Sequence, residues 1–179
     1  MTNTVKKINM IEAVKLFFKN YFNFTGRASR SEFWWFYLAY LIVAVVIMIA
    51  EGLAKGVDYA GSGVASNLFT LVTLIGWLSL TARRLQDRGH SGWWQLAYLI
   101  PIIPLVYFMV LFILTEDPAH AIALGLVSLL WVGILITFIV FLCLPPKEDE
   151  NKWGRNPLLP DTASADHQIN QDLINDKHS

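Results

Sequence analysis

Arginine, acid and tryptophan recur together in three short stretches of this chain. Arg27, Arg30 and Glu32 stand just ahead of Trp34 and Trp35. Arg83, Arg84, Asp87 and Arg88 stand ahead of Trp93 and Trp94, and Lys152 and Arg155 flank Trp153. A guanidinium offers a planar fork of donors that grips a carboxylate or phosphate with two bonds, and tryptophan settles at the level of lipid headgroups. The sharper reading is a site for anionic lipid headgroups or another phosphate-bearing ligand, held by Arg27, Arg30, Arg83, Arg84, Arg88 and Arg155. The blander reading gives Glu32 and Asp87 a structural task, pairing with arginines to tie helices together. In that reading Trp34, Trp35, Trp93, Trp94 and Trp153 are interfacial anchors only.

Other chemistries find little footing. His90, His120, His167 and His178 are far apart, and no pair has metal-ligand spacing, so neither a metal site nor a cofactor is expected. No phosphate-binding Walker loop, zinc-protease helix or nucleophile elbow occurs. The single cysteine, Cys143, cannot form an internal disulfide and closes an apolar run, which suits a small hydrophobe.

The elements that must position these residues follow from composition. The chain has 179 residues, 55% hydrophobic and 16% charged, with mean hydropathy +0.45. Soluble domains carry about 25% charged residues. A crossing of the hydrocarbon core takes about 20 apolar residues, and four candidates are present, at about 33–50, 64–82, 94–114 and 121–144. The segments 1–32 and 145–179 are each shorter than the roughly 40 residues a chain needs to fold unaided. That argues against a separate soluble catalytic or nucleic-acid-binding domain. The first 30 residues carry six Lys/Arg and no apolar core with a cleavage site, so no secretory signal is read there.

Residues 8–22 read as an amphipathic helix. Met10, Ala13, Val14, Phe17 and Tyr21 share one face, with Glu12, Lys15, Lys19 and Asn20 opposite. Such a helix suits the headgroup region, or packing on the ends of the spans. Ser29 to Glu32 has capping-box spacing and starts the first span near Arg30. The second span is the most polar, with Ser66, Asn67, Thr70, Thr73, Ser79 and Thr81, which favours a helix facing protein. Gly89 suits a helix C-cap and Ser91 the next N-cap. Pro101 and Pro104 must kink the third span. Pro145 and Pro146 end the fourth, and the tail over 145–179 reads as mostly disordered.

Basic residues set the orientation. Thirteen of the fourteen Lys/Arg fall in the N-terminal segment, the second loop and the C-terminal segment, which share one side of a four-span chain. Only Lys55 falls on the other. Lys and Arg are retained inside, so both termini are expected in the cytoplasm. No charged residue falls inside a span, which lowers the prospect of a proton relay or ion-coupled pump.

Three motifs in order resemble one known family. They are Phe24-Thr-Gly-Arg-Ala-Ser-Arg-Ser-Glu-Phe-Trp-Trp-Phe, Arg83-Arg-Leu-Gln-Asp-Arg-Gly-His-Ser-Gly-Trp-Trp and Asn151-Lys-Trp-Gly-Arg-Asn-Pro. The chain is similar across most of 11–157 to the bacterial inner-membrane family catalogued as domain of unknown function 805. The resemblance implies a small polytopic membrane domain with no assigned activity and no catalytic residue to carry over. Gln86 stands where the family motif often has His, and the stretch from Pro104 to Asn151 is longer than in compact members.

The sequence therefore predicts an all-α membrane protein, with four transmembrane helices and an N-terminal interfacial amphipathic helix. It is expected in the bacterial inner membrane as a non-enzymatic protein acting through lipid or protein contacts. The alternative is a carrier or channel for a small solute; a membrane enzyme working on lipids is disfavoured for want of a nucleophile–base pair. Expected partners are membrane lipids, anionic ones among them, and other membrane proteins or a second copy of the chain, but no nucleic acid.

Overall fold

The computed structural model describes residues 7–56 and 60–159. Five α-helices are present: α1 Met10–Lys19, α2 Arg30–Lys55, α3 Val64–Asp87, α4 Ile102–Thr115 and α5 Pro118–Cys143. A 3-10 helix, Gly92–Tyr98, precedes α4, and a short hairpin pairs β1 Glu150–Asn151 with β2 Gly154–Arg155. Four segments are long and apolar enough to cross a membrane: α2, α3, the 3-10 helix with α4, and α5. The protein is an all-α membrane protein with four transmembrane helices.

Local signals explain most of the boundaries. Asn9 and Glu12 form a full capping box on α1, each side chain bonding the other's backbone amide at 2.9 and 3.1 Å. The box expected on α2 forms only by half. Ser29 Oγ accepts from the Glu32 amide at 3.1 Å, but the Glu32 carboxylate turns away to Arg83. A charged donor outbids a neutral amide for that carboxylate. The end of α3 follows the sequence expectation. Gly89 has φ +81°, its amide bonds Gln86 O, and the His90 amide bonds Leu85 O, the two bonds of a Schellman motif. Ser91 then caps the 3-10 helix.

The opposite end is tied by Glu51, in the last turn but one of α2. Its carboxylate accepts from the amides of Gly63 and Ser66 at 3.3 and 3.0 Å and from the Ser66 hydroxyl. The carboxylate thus caps α3, whose own N-cap, Gly63, has no side chain to do so.

The third crossing is not one kinked helix. The chain breaks between Tyr98 and Ile102, and Pro101 becomes the N-cap of α4. Proline has no amide to donate, which frees carbonyls in the turn before it. Trp131 of α5 bonds one of them, donating Nε1–H to Tyr98 O at 3.0 Å. Within a bilayer a freed carbonyl must find such a protein partner.

The buried core lies toward one end of the bundle. It joins Ala13 and Phe17 of α1, Phe33 and Phe36 of α2, Leu80 and Leu85 of α3 and Leu142 of α5. Phe17 stacks on Phe36 with ring centroids 3.7 Å apart, and Trp77 packs on Phe33, Phe36, Tyr37 and Tyr40. Helix α1 thus spends its inner face on α2 and α3, while Ile11 and Phe18 stay exposed. Elsewhere the spans expose long apolar side chains, as helices bathed in hydrocarbon do. Of the tail expected over 145–179, residues 145–159 are ordered around the hairpin; the remainder lies outside the described residues.

Candidate functional site

The end that carries the core also gathers the charges. The last turns of α3, from Ser79 to Asp87, are buried throughout. Asp87 is the hub: its Oδ1 accepts from Arg27 Nε at 2.8 Å and its Oδ2 from Arg84 Nη1. The side chains of Arg84 and Asp87 are 0% and 1% exposed. A second pair joins Arg83 Nη1 to Glu32 Oε1 at 2.8 Å. Every partner here lies on a different segment except Arg84 and Asp87, so the pairs clamp the N-terminal loop and α2 onto α3.

Backbone carbonyls complete the shell. Arg84 donates from Nε and Nη2 to Leu142 O at 3.0 and 2.9 Å, and Nη2 also reaches Leu144 O. These belong to the last turn of α5 and its C-cap, whose carbonyls have no helical partner and carry the negative end of the helix dipole. Arg27 Nη1 donates to Asp149 O and Gly154 O, both at 3.1 Å, and its Nη2 to Glu148 O at 2.9 Å. Arg27 is therefore the post on which the hairpin hangs. Gln86 Nε2 donates to Phe24 O at 2.9 Å, and Asn151 Nδ2 to Gln86 O at 3.0 Å. The Gln86 side chain thus ties α3 to the loop at Phe24, while its backbone carbonyl takes the Asn151 bond.

The buried charges nearly balance. Three guanidinium groups (Arg27, Arg83 and Arg84) face two carboxylates, Glu32 and Asp87. The surplus positive charge lies against the carbonyl end of α5, where a cation is favoured. Nε and Nη2 of Arg83 find no acceptor among the described residues.

The structure thus divides the residues singled out in the sequence. Arg27, Arg83 and Arg84 are drawn inward with Glu32 and Asp87. Arg30 and Arg155 are exposed, and neither side chain makes an ion pair or hydrogen bond among the described residues. Arg88 is intermediate: it donates to Pro145 O and lies over the Phe141 ring, 5.1 Å from its centroid. Among the tryptophans, Trp93 is 77% exposed and Trp94 and Trp35 are also exposed. Trp34 is half-buried against Phe33 and Tyr37, and Trp153 lies under the Lys152 ammonium at 4.2 Å. Lys7, Arg30, Trp34 and Trp35 line an open depression of about 1010 Å³ with no acid among its lining residues. Among the described residues no cluster of metal-ligating side chains occurs. Sequence reasoning passed over Glu51 and the Asn9–Glu12 box. Only the last had a readable signal, its spacing of three.

An all-helical, four-crossing bundle locked at one end by buried arginine pairs is the class of protein this geometry defines. The chain belongs to the family described as "Protein of unknown function (DUF805)", which it matches over residues 21–155. It is 33% identical over 141 residues to inner membrane protein YhaH of Escherichia coli, covering 79% of this chain and 92% of that one. It is 37% identical over 94 residues to inner membrane protein YhaI of the same organism, covering 52% of this chain and 76% of the relative. No solved structure matches. The three motifs that carry the resemblance coincide with the clamp: Arg27 and Glu32 come from the first, Arg83, Arg84 and Asp87 from the second, and Asn151 from the third.

Proposed function

We propose that this is a non-enzymatic integral protein of the bacterial inner membrane that works through contacts with anionic lipid headgroups at its arginine end. Both termini face the cytoplasm. The carrying observation is the open depression where Lys7 and Arg30 stand beside Trp34 and Trp35, with no acid lining it among the described residues. Two cations beside two indoles match a phosphate layer over hydrocarbon. The outer side of α1 supports the same placement, since Ile11, Phe18, Lys15 and Lys19 are all exposed there. Arg27 and Arg84 serve the clamp in this reading and touch no lipid.

Two measurements test it. Purification in native lipid discs, followed by lipid mass spectrometry, should show phosphatidylglycerol enriched over the bulk membrane. Replacing Lys7 and Arg30 together with glutamine should lower that enrichment without changing the melting temperature; enrichment undiminished by the replacement refutes the reading. For orientation, green fluorescent protein fused to either end should fluoresce and alkaline phosphatase fused there should stay inactive. The opposite pattern at either end overturns the topology.

A further inference from the structure

A second concave surface lies away from that depression. Between the 3-10 helix and α5 runs a groove of about 780 Å³, within the range of about 300–1,000 Å³ common for ligand pockets. It extends along α5 from Phe141 to Leu126. At about 1.5 Å per residue that is roughly 22 Å, against a hydrocarbon core of about 30 Å. Its walls are mostly apolar, and the Thr137 hydroxyl is spent on Gly133 O at 2.9 Å.

One end is different. His90 lines the groove there, with its ring edge-on to Phe141 at 4.9 Å and to Trp94 at 6.0 Å, and it makes no side-chain hydrogen bond among the described residues. Arg88 does not line the groove itself but lies over the Phe141 ring, 5.1 Å from its centroid, with Nη1 donating to Pro145 O. The groove is thus a long apolar slot with the His90 imidazole at one end and the Arg88 guanidinium over the Phe141 ring that lines it there. That distribution complements an amphiphile with one anionic head and one hydrocarbon tail.

We propose that the groove holds one acyl chain of an anionic phospholipid, with its phosphate against Arg88 and His90. The proposal rests on the lipid-contact reading above but concerns a different surface and a single retained molecule. A second copy of this chain fits less well. A helix from a partner would bring its own apolar ridge to the slot but, within the four apolar stretches read from the sequence, no acid.

Gly133 supplies the test, because a Cβ built there meets nothing within 4 Å. Gly133→Leu should fill the slot without straining the fold, while Gly133→Ala leaves most of it open. Full-length protein would be placed in nanodiscs of phosphatidylethanolamine with phosphatidylglycerol, released from them, and weighed intact with its retained lipids. Wild type and Gly133→Ala should each retain one phosphatidylglycerol per chain, and Gly133→Leu should lose it. Arg88→Gln should retain a lipid but reduce the preference for phosphatidylglycerol roughly fivefold to tenfold. Equal retention in wild type and Gly133→Leu overturns the proposal. So does retention of no lipid by wild type, or a dimer that Gly133→Leu dissolves. The Lys7 and Arg30 replacement separates the two readings: it should leave the retained lipid in place, and its loss there would place that lipid at the depression instead.

Discussion

At the scale of the residue, Asp87 decides most. It compensates two buried guanidinium groups at once. Asp87→Asn keeps the shape but leaves both cations without a counter-charge. Removing one partner of a buried pair costs about 3–5 kcal/mol, so this variant should unfold in detergent at a much lower temperature. The Arg83–Glu32 pair allows a sharper check. Glu32→Met alone strands Arg83 and should be strongly destabilising, whereas Glu32→Met with Arg83→Met should recover more than half of that loss, since an apolar pair incurs no desolvation penalty. A double-mutant cycle on thermal unfolding measures both. The sequence showed which residue types would pair but not which partners. Arg27 and Asp87 lie sixty positions apart, and Arg84 finds its main acceptors on backbone carbonyls, which carry no residue signature at all.

At the scale of the element, close approach governs. A Cβ at Gly76 of α3 would lie 2.3 Å from Phe17 Cζ, and that ring is pinned on Phe36. Overpacking costs about 1–3 kcal/mol, more than the 0.8–1.0 or so that alanine gains over glycine in a helix. Gly76→Ala should therefore lower the melting temperature and expose α1 to hydrogen exchange. Gly125→Ala in α5, where a Cβ meets open space, should raise it. The two glycines look alike in sequence, each inside an apolar helix. Only the docking of α1 separates them. The helix periods, the Gly89 and Ser91 caps and the place where the prolines disturb the third crossing were legible because their causes act within a few residues. The half-formed box at Ser29 was misread because its competitor, Arg83, comes from another helix.

At the scale of the whole molecule, the packed core and the buried charges share one end. Hydrocarbon rewards helix association weakly, because lipid tails solvate leucine as well as another leucine does. Stability is therefore concentrated where polar groups demand protein partners. Arg27 holds the hairpin through Glu148, Asp149 and Gly154 carbonyls, so a chain ending after Pro146 should lose at least about 2 kcal/mol. A chain ending after Leu159 keeps every one of these acceptors and should melt well above the shorter one. Differential scanning fluorimetry on the two truncations compares them directly.

The sequence by itself determined the four apolar crossings, their approximate limits and the placement of basic residues on alternate connections. Those properties depend on transfer free energies that add residue by residue along the chain. The tertiary structure decided which arginines turn inward, that the region after Pro146 folds back as a hairpin, and that a slot opens beside α5. These depend on carbonyls, ring faces and empty space, brought together from distant parts of the chain, and none of them is a property of a single residue type.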